Sequence, residues 1–117
     1  KELFESDINP IFRCLEENYL NKDAPELNIA FFDIETDFDN KRGYSTPADP
    51  FTKITAITVY LNWMDQLITL ALPPTSMNMD QANEIGAKFD NTFMFESEAE
   101  MLLTFLDLIE DADILSG

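Results

Sequence analysis

The sequence predicts a single α/β domain, a mainly antiparallel three-stranded meander with a covering helix, truncated before its later strands. Three observations carry that expectation. The apolar run at residues 27–35 (LNIAFFDIE) is followed by two β-branched runs at 54–61 and 66–72, and Asn62-Trp63-Met64-Asp65 joins the last two as a hairpin would. A helix signal comes after these strands, with Met101, Leu102, Phe105, Leu108 and Ile109 on one face. A new apolar segment then begins at Ile114, and 117 residues suit one core and not two.

Each element has a local reason. Residues 3–8 are half apolar and predict an edge strand. Asn9-Pro10 reads as an N-cap followed by proline at the first helical position, and Phe12, Leu15, Tyr19 and Leu20 recur at helical spacing. An amphipathic helix over 10–20 follows, with Cys14 expected as a small core residue, and 21–25 form a loop. Residues 36–51 are rich in Asp, Asn, Gly and Pro; a connection of that length is a candidate functional loop. Trp63, at the hairpin tip, is expected to pack. Pro73-Pro74 ends the meander, a short helix is expected around 79–85, and a short strand at 92–95. Ser97-Glu98-Ala99-Glu100 fits a capping box, opening a helix that runs to about Asp111.

Composition excludes several function classes. Seven Lys and Arg against 23 Asp and Glu leave a formal charge of −16, yet 45% apolar residues exclude disorder as the default state. Without histidine there is no Ser-His-Asp or Cys-His catalysis and no His-based metal site. One cysteine excludes an internal disulfide framework. No apolar run reaches the ~18–20 residues that span a bilayer, and the N-terminus lacks a secretion-signal pattern. The expectation is a soluble cytoplasmic domain with no membrane partner, its chemistry resting on carboxylates. The basic residues are scattered, with only Lys41-Arg42 adjacent, so DNA phosphates are repelled unless metal ions intervene. The chain starts at Lys1 without methionine and stops just inside a strand-like segment, which predicts an excised piece of a longer protein.

Asp33 and Glu35 are the carboxylates placed to do chemistry. Two apart at the end of a strand, they project from one face with α-carbons ~6.5 Å apart. That arrangement suits a pair of Mg²⁺ (or Mn²⁺) ions ~3.5–4 Å apart, which would bridge an acidic protein to a phosphodiester. Strand ends also expose acids to solvent with no function, and spacing alone does not separate the two readings. A calcium loop starting at Asp37 fails, because Lys41 takes a ligand position and Arg42 the place of the required glycine. Asp37 and Asp39 read as solvated loop acids.

Context separates the readings. Phe31-Phe32-Asp33-Ile34-Glu35-Thr36 resembles the first exonuclease motif of family B DNA polymerases. Upstream, the segment from Glu5-Ser6-Asp7-Ile8 through Pro10, Arg13 and Leu15 is similar to the stretch that precedes the exonuclease domain in that family. Downstream, Pro47-Ala48-Asp49-Pro50 with Ile54 and Ile57 resembles the loop into its second strand. The run Phe95-Glu96-Ser97-Glu98, Met101-Leu102, Phe105 and Asp111 to Gly117 resembles the helix and strand leading to its second motif. Four segments in the right order cover most of the chain. Cys14 and Ala112 depart from the usual aromatic and proline.

The resemblance implies a partial ribonuclease H-like fold, with residues 1–26 preceding the exonuclease domain and 27–117 forming its N-terminal half. It implies metal-dependent 3′→5′ removal of nucleotides from a single-stranded 3′ end of DNA. By carry-over, Asp33 would bind both metals, and Glu35 would bind one and help orient water. Tyr44 resembles a position where the family places an aromatic against the unpaired end; Phe38 is a weaker candidate, and Thr36 a candidate contact to the terminal nucleotide. The second motif, Asn-x-x-x-Phe-Asp, should begin just after Gly117, and the third, Tyr-x-x-x-Asp, lies further on. Ile85 stands where Phe89-Asp90 would need Asn, and Tyr44 and Tyr60 have Ala48 and Met64 four residues later. The fragment alone is therefore expected to be inactive, its partners being the remaining exonuclease and polymerase domains; the acidity and compact spacing suit a viral source, and hence a host cytoplasm. Two other readings stand beside this one: a stand-alone nuclease with the same acidic strand, and an acidic non-catalytic protein that imitates DNA.

Overall fold

The computed structural model describes residues 9–117, so the strand expected at 3–8 lies outside the described residues. Helix α1, Pro10–Tyr19, starts as its sequence dictates: the Asn9 side chain accepts from the Ile11 N–H at 2.9 Å, and proline takes the first turn. Arg13 bridges to Glu16 and Glu17 one turn on. None of its described residues is buried. Cys14 is exposed rather than a core residue, because the helix that carries it finds no cover among the described residues.

Strands β1 (Ile29–Thr36), β4 (Ile54–Leu61) and β5 (Gln66–Ala71) form the antiparallel meander at the centre of a five-stranded sheet. Its order is β6-β5-β4-β1-β7, where β6 (Thr92–Met94) pairs parallel to β5 and β7 (Ile114–Ser116) parallel to β1. The meander is thus flanked by two parallel strands that the local pattern had placed but not paired.

Strand alternation gives the sheet one dry face. Ala30 lies opposite Leu61, Phe32 opposite Val59, and Ile34 opposite Ile57; Ile57 and Val59 in turn face Leu70 and Ile68. Helix α3, Glu98–Leu108, covers that face with Met101 and Phe105, the Phe105 ring 5.5 Å from Phe32. The expected core stripe of this helix, with Leu102, Leu108 and Ile109 packed at its flanks, is therefore in place, and Trp63 packs against the same cluster. Burying these side chains, ~1.5–3 kcal/mol for each large one, is the main source of cohesion. The apolar run of β1 is dry on one face only: Phe31 remains 46% exposed.

The helix ends depart in detail from expectation. Ser97 caps α3 by accepting the Glu100 N–H at 3.2 Å. The neighbouring Glu98 carboxylate accepts the Ile54 N–H at 2.8 Å, tying the helix start to the start of β4. A reciprocal capping box forms instead on α2, Met79–Gly86, between Asn78 and Gln81. Gly86 of α2 lies against β6, where a β-carbon would stand 3.3 Å from Met94.

Side-chain amides fasten β1 at its beginning. Asn62, in the hairpin turn, accepts the Ile29 N–H at 2.7 Å and donates to the Leu27 carbonyl at 3.0 Å. Asn28 donates to the Asp111 carbonyl, its own N–H goes to Asp113, and its carbonyl accepts from Asp113 and Ile114. These bonds set the parallel register of β7, whose Ser116 lies level with Phe31.

Candidate active site

Asp33 and Glu35 alternate with Phe32 and Ile34 along β1, so they stand on the face opposite α3, where both are exposed. The strand is held by hydrogen bonding on both sides over its first half and by β4 alone beyond Phe31, with Asp33 opposite Thr58 and Glu35 opposite Ala56. Phe31, Asp33, Thr58, Tyr60, Leu67 and Gly117 line a shallow depression of about 390 Å³ on this open face. Gly117 approaches closely: a β-carbon there would come within 2.9 Å of the Phe32 ring.

The register breaks immediately after Glu35. Thr36 pairs with Ile54 rather than Thr55, and the bulged Thr55 turns its hydroxyl to the Glu35 carbonyl at 3.2 Å. A bulge bends its strand and raises the local twist, which here redirects the chain just past the second carboxylate. Thr36 closes β1 and is half-buried.

The loop expected at 36–51 holds a small antiparallel ribbon, β2 (Phe38–Asp39) and β3 (Gly43–Tyr44). Phe38 and Tyr44 face each other across it, ring centroids 4.8 Å apart and edge to face, with Tyr44 70% exposed. Asp39 holds the turn. Its carboxylate accepts the backbone N–H groups of both Lys41 and Arg42 at 2.8 Å, and those bonds, Arg42's first, lower its pKa from the ordinary value. It is thus a turn-forming residue and not simply a solvated acid. Asp37 is exposed, and its side chain accepts the Phe38 N–H. Arg42 sits 2.7 Å from Asp49 and 3.7 Å over the Phe51 ring, which closes the ribbon onto the chain that returns to β4.

A larger cleft of about 950 Å³ opens beyond the end of β1, with Asp37, Phe38, Lys53, Thr55, Leu72 and Glu98 on its walls. The structure therefore brings Asp33 and Glu35 to one face, and Phe38 and Tyr44 to one ribbon. Among the described residues no cluster of three or more acidic, His or Cys side chains could hold a metal ion, so the two carboxylates are part of a ligand set at most.

With this geometry in place, the comparison with known families is decisive. Residues 2–117 match the family model for the exonuclease domain of DNA polymerase family B. The chain belongs to that family. Comparison with curated proteins gives no match. The five-stranded sheet with its helices is accordingly a partial ribonuclease H-like fold, and the family carries exonuclease function on DNA. Family B exonuclease domains depend on divalent metal in general, and exposed carboxylate oxygens at a strand end are the donor type that Mg²⁺ prefers. No helix among the described residues is long and apolar enough to cross a membrane.

Sequence reasoning missed three features of this family B domain's site. The Thr55 bulge has no local signature, since Ile54 to Leu61 read as one uninterrupted run. The aromatic ribbon was within reach: Asp39, Asn40 and Gly43, with φ of +84° at Gly43, are turn chemistry between two aromatics. Lys53 had no signal, because only folding brings it beside Asp37 and Phe38.

Proposed function

We propose that this chain supplies the first half of a metal-dependent 3′→5′ proofreading site, with Asp33 and Glu35 as metal ligands and catalytic residues. The observation that carries the reading is the pair itself: two exposed carboxylates on one face at the end of β1, in a chain of the family B exonuclease domain. When bound, two Mg²⁺ or Mn²⁺ ions supply an activated water and stabilise charge at the scissile phosphodiester.

The chain's own residues hold and orient. Asp33 binds both cations; Glu35 binds one and orients the attacking water. Thr36 contacts the terminal nucleotide, and Phe38 and Tyr44 stack on unpaired bases at the 3′ end, for which an exposed aromatic pair is suited. The remaining carboxylates belong to the second and third motifs of the family, which we place after Gly117. The topology supports that placement. With Ser116 level with Phe31, a residue added in register after Gly117 stands beside Asp33.

In this reading residues 1–26 precede the exonuclease domain proper, 27–117 form its N-terminal half, and the partners are the rest of the exonuclease domain, the polymerase domain and a single-stranded DNA 3′ end. A viral polymerase working in the host cytoplasm suits the acidity. The test is Asp33→Ala with Glu35→Ala in the polymerase that carries this domain. Mismatched 3′ ends should persist while primer extension continues; excision at the parental rate would remove both residues from the role.

A further inference from the structure

Three of the seven basic residues, Lys41, Arg42 and Lys53, lie in the segment just beyond Glu35. The fold puts them to different uses. Arg42 is engaged: its guanidinium is 2.7 Å from Asp49 and stacked 3.7 Å over Phe51, so its charge is matched where it stands. Lys41 and Lys53 are exposed and, like Lys22 and Lys88, make no ion pair among the described residues. Asp39, the acid nearest to Lys41 in sequence, spends its carboxylate on the Lys41 and Arg42 backbone N–H groups.

Their placement is ordered. Lys53 lies opposite Asp37, whose N–H donates to its carbonyl at 2.9 Å, and shares the wall of the larger cleft with Phe38. Asp37 is itself two residues past Glu35 in sequence, just beyond the bulge. Phe38 and Tyr44 come next, edge to face, and Lys41 stands at the turn. Cation, aromatic pair, cation is the alternation of surfaces that carry single strands, where bases stack and lysines take phosphates.

We infer that Lys53 and Lys41 are phosphate contacts on either side of the Phe38–Tyr44 pair, making residues 37–53 a guide for the single-stranded 3′ end, with Arg42 as its brace. This rests on the exonuclease reading of the neighbouring carboxylates. It also eases the charge conflict locally, since a domain of charge −16 presents two of its uncompensated lysines where the strand would arrive.

The experiment uses the polymerase that carries this domain, in an Asp33→Ala, Glu35→Ala background without divalent metal, so that DNA is bound and not consumed. Binding of labelled oligothymidylate is followed by anisotropy between about 50 and 200 mM salt. Lys41→Gln with Lys53→Gln should make the slope of log K against log salt shallower by ~1.4, that is ~0.7 for each lost single-strand phosphate contact. Arg42→Gln should weaken binding with the slope retained, and the slope for a matched primer–template should not change in the lysine variant. An unchanged oligothymidylate slope would overturn the proposal. So would an equal change of slope on the matched duplex, or in Arg42→Gln, either of which indicates diffuse charge. Because the readout needs no cleavage, its failure is distinct from survival of excision in Asp33→Ala, Glu35→Ala, which bears on the carboxylates alone.

Discussion

Phe105→Ala is expected to loosen the strand that carries the candidate site. Phe105 is 9% exposed, packs in the cluster formed by Ile57, Val59, Leu70 and Met101, and tilts at 59° against Phe32, the residue before Asp33. Truncating a buried phenylalanine costs ~3–5 kcal/mol, of which an aromatic pair accounts for ~0.5–1.5. Phe105 sits at the margin of the cluster, where water can enter part of the vacated space, so the lower end, about 3 kcal/mol, is the expectation. Phe105→Leu preserves more volume and should cost about 1–1.5 kcal/mol. Trp63, the single tryptophan and packed against the same cluster, reports unfolding by fluorescence in urea. With a slope of about 2 kcal/mol per molar, Phe105→Ala should lower the midpoint by about 1.5 M. A cycle with Phe32→Leu should return a coupling of about 0.5–1.5 kcal/mol. A loss under 1 kcal/mol for Phe105→Ala, with no coupling to Phe32, would refute the claim that α3 holds β1 through this contact.

Further outcomes follow from the same geometry. Glu98→Ala, which strands the half-buried Ile54 N–H, should cost about 1–2 kcal/mol in the same urea assay, and Glu98→Gln, still able to accept, less. Asp39 has a folded-state pKa below its unfolded value, so its contribution is present above the unfolded pKa and lost as pH falls through the lower folded one. The Phe38–Tyr44 ring contact, followed by NMR, should therefore be fully present above the ordinary carboxylate pKa and weaken as pH falls below it, whereas Asp39→Ala should lack it at neutral pH. The 117-residue chain incubated with Mg²⁺ or Mn²⁺ and single-stranded DNA should leave the DNA intact, since neither the second nor the third motif follows the first within it; robust digestion would contradict the need for those motifs.

The meander was legible in the residues alone, because its information is local. Period-two runs at 54–61 and 66–72, joined by a four-residue turn, can pair with their neighbours in only one sensible way, and β4 matches the predicted 54–61 while β5 ends one residue earlier. The same alternation put Asp33 and Glu35 on one face of β1. The α3 stripe was legible for the same reason, carrying its own period and cap, whereas the helix expected around 79–85 came from a weaker pattern and its Asn78–Gln81 cap emerged only in the structure. Tertiary structure decided the rest. The pairing of Ile29 with Ile114 spans most of the chain and depends on Asn28 meeting Asp113, which no local pattern encodes. Cys14 and Phe12 look like core residues by spacing, yet spacing gives a helix a face without giving that face a partner. Asp39 looks like one more surface acid until two backbone N–H groups converge on it. Whether a side chain is ligand, brace or bystander depends on what the fold sets against it, and for Lys53, Thr55 and Arg42 those neighbours arrive only when the chain doubles back past Glu35.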